Sequence, residues 1–247
     1  MTKRIINDLD LNNFNSLEHI KTSSIWVGKF SQLKPKDFGD NNFHTRFHPE
    51  IPYQMMMRYT KKGETVWDPF AGSGTTIDVG RMLGRKVIAN DLFQYREDII
   101  KGDSRSWRPD EKVQLVILHP PYWKMYHYSD DPLNLCNEPT ASAFAKEFGA
   151  VINNVKEILE NGRFLILVIS DVYTNGEQIP LDFLCYSEIK KFGYILKGRI
   201  VKDFGETKGT TITNAKNSRL WRYRALKFGF WELGIDNILV FQKGERN

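Results

Sequence analysis

A glycine-rich turn holds the first residues whose types and spacing suggest chemistry. Residues 68–76 read DPFAGSGTT and follow the short apolar strand predicted at Thr65 to Trp67. In an open parallel sheet, ligands bind outside the carboxyl ends of the strands, and glycine lets the backbone approach them closely. A phosphate loop is excluded because no Gly-Lys-Ser/Thr follows, and the dinucleotide fingerprint fails because threonine replaces its third glycine. A tight turn without a ligand remains the alternative.

A second signal is Asp91, which closes the next predicted strand, Val87 to Ala89. An acid about 20 residues after such a turn hydrogen-bonds ribose hydroxyls in nucleotide-binding sheets. Asp91 has the alternative role of a helix N-cap or turn aspartate. Together, the turn and the acid predict a ligand that contains adenosine and lacks a pyrophosphate.

The stretch ILHPPYW, residues 117–123, leaves a predicted strand in an unusual way. Val113 to Leu118 is a continuous apolar run, typical of a parallel strand buried on both faces, and His119 and two prolines follow it directly. Proline fixes the chain direction and removes a backbone donor, so the carbonyl of Pro120 is a rigidly held acceptor. The alternative is a bulky proline turn around a core tyrosine.

Strands and helices alternate around these motifs. Their lengths and order predict an α/β fold with a doubly wound, mostly parallel, Rossmann-like sheet. Helices are predicted at Pro49–Tyr59, Thr75–Leu83, Ala141–Leu159 and Leu181–Phe192, and further strands at Ser24–Val27, Arg163–Ile169, Tyr194–Val201 and Ile238–Phe241.

Composition bounds the class of protein. The chain has 247 residues, of which 41% are hydrophobic, and its apolar runs are of strand length, so we expect a soluble protein without a membrane anchor or signal peptide. Cys136 and Cys185 lack metal-ligand or redox spacing, which favours a reducing cytoplasm. The net charge of +5 allows a polyanionic partner without requiring one.

DPFAGSGTT followed by HPPYW at a strand end resembles the DNA methyltransferases that modify exocyclic amino groups with S-adenosylmethionine. That family carries Asp-Pro-Phe-x-Gly-Ser-Gly-Thr and then Asp, Asn or Ser before Pro-Pro and an aromatic residue. Two weaker likenesses are FHPEIP at residues 47–52, similar to the segment that helps hold the methionine moiety, and ILVFQK at residues 238–243, similar to the last strand. The resemblance covers residues 44–243 and implies a methyltransferase domain at 44–247 after an N-terminal arm at 1–43.

The resemblance implies S-adenosylmethionine as the cofactor and no metal. Asp91 matches the acid at the second strand end, and Asp103 falls where a residue reaches the adenine. The implied cofactor-binding residues are His48, Pro49, Asp68, Phe70, Gly72, Ser73, Gly74, Thr75, Asp91 and Asp103.

The implied catalytic residues are His119, Pro120, Pro121 and Tyr122. A base in a duplex hides its amino group, so the enzyme must extrude the nucleotide, and Tyr122 would stack on it. The Pro120 carbonyl and the preceding side chain would accept the amino hydrogens and turn the nitrogen lone pair toward the methyl group. His119 departs from the family, and only a neutral imidazole can accept, so we expect the rate to fall as the pH drops through the pKa of His119.

The target base stays open between cytosine-N4 and adenine-N6, with Trp123 favouring cytosine-N4. Methylation at carbon-5 is disfavoured because neither cysteine has the Pro-Cys context of its nucleophile. Two other functions remain: an RNA amino-methyltransferase, and a catalytically inactive module that binds DNA.

Double-stranded DNA is the expected partner, and loops at 124–140 and 203–227 are expected to contact it. Residues 207–227 carry six Lys or Arg and no acid, with aromatics between them, as phosphate-binding segments do. A solvated loop and a plain lid are the alternatives. A homodimer or a partner specificity or nuclease subunit is also expected, because the chain is short. The implied contacts are Trp123, Tyr126, Tyr128, Lys216, Arg219, Arg222 and Arg224.

Overall fold

The computed structural model describes residues 6–27, 33–43, 46, 48–203, 215–231 and 233–244, with the backbone alone for 215–221. Strands and helices alternate through most of it. The strands are β1 (Ile25–Trp26), β2 (Thr65–Asp68), β3 (Lys86–Asp91), β4 (Ile100–Lys101), β5 (Val113–Leu118), β6 (Leu159–Ile169), β7 (Val172–Thr174), β8 (Glu177–Ile179), β9 (Ile195–Asp203) and β10 (Ile235–Gln242). The α-helices are α1 (Glu50–Tyr59), α2 (Thr75–Leu83), α3 (Ala141–Ile158), α4 (Leu181–Lys191) and α5 (Ala215–Phe228).

In the described part of the chain, the main sheet has eight strands in the order β1-β9-β10-β6-β5-β2-β3-β4. β10 runs antiparallel to β6 and β9, whereas the other neighbouring strands are parallel. The predicted α/β fold with a mostly parallel sheet is therefore confirmed. Because β2, β3 and β5 run in the same direction, their carboxyl ends meet at one edge, and the predicted motifs follow those ends.

The sheet is buried on both faces. Along β5, Val116 and Leu118 belong to a core cluster with α3 and α4, whereas Leu115 and Ile117 belong to a cluster with α1 and α2. All four side chains are fully buried, and burying one such side chain stabilises a fold by roughly 1.5–3 kcal/mol. The rigid β5 therefore fixes the start of the corner that follows it.

Most predicted elements agree with the structure in type and approximate position, and three further differences bear on the site. The β7–β8 hairpin was not predicted, since its strands have three residues each. β6 begins at Leu159 rather than 163. Residues 215–227, predicted within a loop, form most of α5; the cations that suggested a loop are good helix formers and no proline interrupts them. Residues 204–214 of the same loop lie outside the described residues.

The predicted N-terminal arm contributes to the fold where it is described. β1 adds an edge strand parallel to β9, and the backbone N–H groups of Gly39 and Asp40 donate to Asp78 and to the Ser73 carbonyl. The arm therefore contacts the glycine-rich turn directly. Among the described residues, no helix is both long and apolar enough to cross a lipid bilayer.

Candidate active site

A cleft of about 920 Å³, open to solvent, lies at the carboxyl edge of the sheet. It brings the two predicted motifs together, because the glycine-rich turn forms one part of its wall and the proline corner another. Sequence-predicted residues in its lining are Phe70, Gly72, Ser73, Asp91, Asp103, His119, Pro120, Pro121, Tyr122, Tyr126 and Tyr128. Of the described residues, those outside the lining are His48, Pro49, Asp68, Gly74, Thr75, Trp123, Arg222 and Arg224.

The glycine-rich turn needs its glycines. Gly72 and Gly74 have φ values of 46° and 82°, in the left-handed region that other residues rarely adopt. A Cβ on Gly74 would lie 2.5 Å from the guanidinium of Arg96. Arg96 donates to the Ser73 carbonyl at 3.3 Å and to both carboxylate oxygens of Asp78 at 2.9 Å. The turn is thus held from outside the cleft by an arginine that sequence analysis did not single out.

Asp91 joins the end of β3 to this turn. Its carboxylate accepts from the backbone N–H groups of Gly72, at 2.9 Å, and Phe93, at 3.2 Å. Burial raises the pKa of Asp91 to about 6, although these hydrogen bonds oppose the shift. Above that pH the carboxylate has acceptor capacity for hydroxyl groups as well as the two N–H groups.

Asp68 lies beneath the turn rather than in the cleft wall. It is 1% exposed and accepts from the Phe70 N–H at 3.0 Å. Burial raises its pKa to about 7. This placement indicates a role in shaping the turn, instead of the direct cofactor contact that we expected.

Asp103 lies in the cleft wall within an ion-pair network. Its carboxylate binds Arg105 at 2.8 Å, and Arg105 also reaches Glu147 at 2.9 Å and the Leu133 carbonyl at 3.0 Å. Arg105 therefore links the expected adenine position to the loop after the proline corner. Sequence analysis missed Arg105, which only its position two residues after Asp103 could have indicated.

The proline corner is anchored by residues from distant strands. Nε2 of His119 and the hydroxyl of Tyr122 are 3.1 Å apart, and that hydroxyl donates to Asp236 Oδ1 at 3.1 Å. Lys202 Nζ lies 3.6 Å from the other Asp236 oxygen. Asp236 and Lys202 are opposite each other on β10 and β9 and are 6% and 4% exposed.

The buried ammonium of Lys202 acts on two histidines. Burial, with Lys202 as the next cause, lowers the pKa values of His119 and His48 to about 4. His119 is therefore neutral throughout pH 5–8, and the rate decrease that we expect as the pH drops through its pKa lies below that range. The requirement for a neutral imidazole is met instead by burial.

His48 and Pro49 lie at the start of α1, where the Glu50 N–H donates to His48 Nδ1 at 3.2 Å. They are close enough to Lys202 for its charge to affect His48. Phe47, the first residue of the FHPEIP segment, lies outside the described residues. His48, one of the expected methionine-side residues, therefore lies within the electrostatic reach of Lys202 on β9.

The loop after the corner combines buried and half-buried aromatics. Tyr126 and Tyr128 line the cleft and make an edge contact at 6.2 Å between ring centroids. Trp123 is only 7% exposed, and its Nε1 donates to the Glu138 carbonyl at 2.8 Å. Because its ring packs in the core, Trp123 leaves little surface for the DNA contact that we expected, and its hydrogen bond closes the loop.

The predicted phosphate-binding cations map to α5. The side chains of Arg222 and Arg224 are exposed there, whereas those of Lys216 and Arg219 lie outside the described residues. An exposed helix that carries arginines can approach a polyanion without rearrangement.

Asp236 and Lys202 are the main site residues that sequence analysis missed. Asp236 stands two residues before the predicted last strand, as a charge in the stretch IDNILVF, and Lys202 directly follows the predicted strand Tyr194–Val201. The one sequence signal for Asp236 and Lys202 was a charged residue next to the apolar run of a strand, because a buried ion needs a partner. Neither residue lies near the proline corner in sequence.

Comparison with known proteins agrees with this geometry. Residues 6–102 match the model of the N6/N4 methyltransferase family, whose description is DNA methylase. Residues 6–102 of this chain are therefore similar to the N6/N4 DNA methylase family. It is 34% identical over 82 residues to the type II methyltransferase M2.LlaDCHI of Lactococcus lactis subsp. cremoris, covering 33% of this chain and 29% of that protein.

A second relative is the type II methyltransferase M.HinfI of Haemophilus influenzae, 27% identical over 114 residues, which cover 43% of this chain and 32% of that protein. The chain thus spans about a third of the length of these relatives. The fold also matches an S-adenosylmethionine-dependent methyltransferase of Geobacter sulfurreducens in complex with S-adenosylhomocysteine. That match has 13% identity and a TM-score of 0.51, and covers 82% of this chain and 94% of the other.

The residues at the cleft fit the cofactor of the family. Gly72 has no Cβ, and a Cβ placed there would lie 3.2 Å from ring atoms of Phe43. The Asp91 carboxylate beside it accepts hydroxyl hydrogens in its ionised form, and Phe70 and Phe93 supply apolar walls. A ribose with an attached adenine matches this mixture of an acid and aromatic surface.

Proposed function

We propose that this protein is a site-specific DNA methyltransferase that transfers a methyl group from S-adenosylmethionine to an exocyclic amino group of a flipped base, cytosine-N4 or adenine-N6. The observation that supports it best is the single cleft that joins the glycine-rich turn and Asp91 to the HPPY corner. When bound, S-adenosylmethionine supplies an electrophilic methyl group. The similarity of residues 6–102 to the N6/N4 DNA methylase family supports this chemistry.

The cofactor-side residues are assigned from their positions. Asp91 would accept the ribose hydroxyls, Gly72 and Ser73 would let the backbone approach the ligand, and Asp103 would lie at the adenine. Asp68 and Gly74 would act indirectly, by shaping the turn. His48 and Pro49 would lie at the methionine end.

The corner residues would orient the target amino group. The Pro120 carbonyl and the neutral His119 would each accept one amino hydrogen, which turns the nitrogen lone pair outward. Tyr122 would stack on the flipped base, its ring held in place by the hydrogen bonds of its hydroxyl. Tyr126 and Tyr128 would contact the same nucleotide or its neighbours across the cleft.

The deciding experiment uses purified full-length protein, S-adenosylmethionine with a labelled methyl group, and unmodified DNA of mixed sequence. The DNA is digested to nucleosides and analysed by mass spectrometry, with transfer RNA assayed in parallel. N4-methylcytosine or N6-methyladenine would support the proposal and identify the base. Methylated RNA with unmodified DNA would favour the RNA enzyme, and cofactor binding without any transfer would favour the binding module.

Double-stranded DNA is the proposed macromolecular partner, with cytoplasmic, nucleoid-associated localisation as the consequence. The exposed Arg222 and Arg224 of α5 would contact phosphates. A homodimer or a separate specificity or nuclease subunit, as in restriction-modification, remains part of the proposal. Size-exclusion chromatography with light scattering, with and without DNA, tests the dimer.

A further inference from the structure

A continuous chain of polar groups lies behind the proline corner. Tyr122 is its centre, with its hydroxyl 3.1 Å from Asp236 Oδ1 and 3.1 Å from His119 Nε2. Lys202 Nζ stands 3.6 Å from the second oxygen of Asp236. The register of β9 and β10 fixes the positions of Lys202 and Asp236, and the two prolines fix the backbone between His119 and Tyr122. Side-chain positions are therefore set by backbone structure on both sides.

The hydrogen bonds that link His119, Tyr122 and Asp236 all donate in the direction of Asp236. Burial raises the pKa of Asp236, whereas Lys202 and the Tyr122 hydroxyl stabilise its ionised form. In its ion pair with Lys202, the Asp236 carboxylate accepts, and the single hydroxyl hydrogen of Tyr122 is donated to its Oδ1. The tyrosine oxygen must then accept from His119. A neutral imidazole with hydrogen on Nε2 carries its lone pair on Nδ1.

We propose that Asp236, acting through Tyr122, is a positioning residue that sets the tautomer of His119, so that Nδ1 accepts a hydrogen from the target amino group. This inference rests on the proposed function of the cleft. In the opposite tautomer, Nδ1 would carry a hydrogen and would repel the amino group. A His in this position needs a fixed tautomer, whereas an Asp offers acceptor oxygens in either orientation.

The relay therefore explains how this chain tolerates histidine where its family has Asp, Asn or Ser. Asp236 on β10, paired with Lys202 on β9, fixes the tautomer of a histidine at position 119. A carboxylate at that position would not require this, because it has no tautomer. A structural ion pair alone predicts no link between Asp236 and the identity of residue 119. That difference gives the inference a test that is separate from fold stability.

The first readout is the tautomer itself. In protein labelled with ¹⁵N-histidine, two-bond ¹H–¹⁵N correlation at pH 7 distinguishes the protonated ring nitrogen from the one with a lone pair. The chain has five histidines, and His119→Asn assigns the signal by its loss. We expect His119 to be protonated at Nε2. Protonation at Nδ1 in the unmodified protein would overturn the inference, whatever the enzyme activity.

The second readout removes the acceptor at 236. Asp236→Leu alone would remove the Asp236 carboxylate that pairs with the buried Lys202 ammonium, so it is combined with Lys202→Met, which removes that positive charge as well. Tyr122 then has only His119 to receive its hydrogen, so His119 should shift to the Nδ1–H tautomer. The methyl-transfer rate should fall by roughly 100-fold, as for loss of one aligned hydrogen bond, with unchanged cofactor affinity.

A double-mutant cycle completes the test. In a His119→Asp background, the same replacement of Asp236 and Lys202 should cost about threefold or less, because an aspartate has no tautomer to set. An equal loss in both backgrounds would assign Asp236 a structural role only and refute the relay. If the tautomers behave as expected but neither DNA nor RNA is methylated by any variant, the proposed function fails and the tautomer assignment stands.

Discussion

The two walls of the cleft are built in different ways. On the cofactor wall, residues 68–105 provide both the turn and the groups that hold it, with Gly72 bound to Asp91 and Arg96 bound to Asp78. On the target wall, the corner is held by Asp236, which is 114 positions from Tyr122 along the chain. One wall is thus nearly local in sequence, whereas the other depends on the sheet register of β9 and β10.

The difference separates binding from orientation. The cofactor wall presents backbone and carboxylate groups that suit a ligand of one shape, and its sequence can be read as a motif. The target wall holds a histidine and a tyrosine in a buried network, where one missing partner changes which atoms donate. Substitutions on the first wall should therefore act on cofactor affinity, and those on the second should act on the rate.

The largest expected effect is at His119. Replacing it with Ala removes one acceptor for the amino group, so the rate of methyl transfer should fall by roughly 100- to 1,000-fold, whereas cofactor affinity should stay within about twofold. Single-turnover assays and calorimetry measure these two quantities. The matched control is His127→Ala, an exposed histidine in the following loop, which should retain the rate. A comparable loss of cofactor affinity in His119→Ala would break the separation of the walls.

The next effect is on the cofactor wall, at Gly74. Gly74→Ala places a Cβ 2.5 Å from Arg96 in a backbone with φ of 82°, so cofactor affinity should fall by about 10- to 100-fold. Gly176→Ala is the matched control, because its φ is 83° and no atom lies within 4 Å of its Cβ. Equal affinities in the two variants would show that the turn tolerates displacement of Arg96.

The same difference decides what the sequence could predict. β5 and α2 were predicted with their exact ends because an apolar run, a glycine start and a glycine cap are local signals. Asp91 was found because its spacing from the turn is a property of the β-α-β unit. Asp236 and Lys202 could not be found this way, since their proximity to Tyr122 arises only when β10 inserts between β6 and β9.

Cofactor affinity and the methyl-transfer rate should also depend differently on pH. Burial raises the pKa of Asp91 to about 6, so its carboxylate accepts ribose hydroxyls above that pH and loses this capacity as the pH falls. Cofactor affinity should drop about tenfold by pH 5. The single-turnover rate at saturating cofactor should be flat over pH 5–8, because His119 has a pKa of about 4.

Asp91→Asn is the control for this profile, since it removes the titration and should give weaker, pH-independent binding. Burial raises the pKa of Asp68 to about 7, so any slope that persists in Asp91→Asn reports Asp68 instead. A rate that falls between pH 8 and 5 at saturating cofactor would contradict the neutral state of His119.

The smallest expected effect lies outside both walls, on α5. Arg222→Gln should remove one phosphate contact and reduce the slope of log affinity against log salt by about 0.9, which is about threefold in affinity between 200 and 50 mM salt. Lys146→Gln on α3 is the matched control, since it removes an exposed charge from another helix. Fluorescence anisotropy with a DNA duplex measures both. An unchanged slope in Arg222→Gln would remove α5 from the DNA interface, whereas a loss of cofactor affinity would show that α5 supports the cofactor wall.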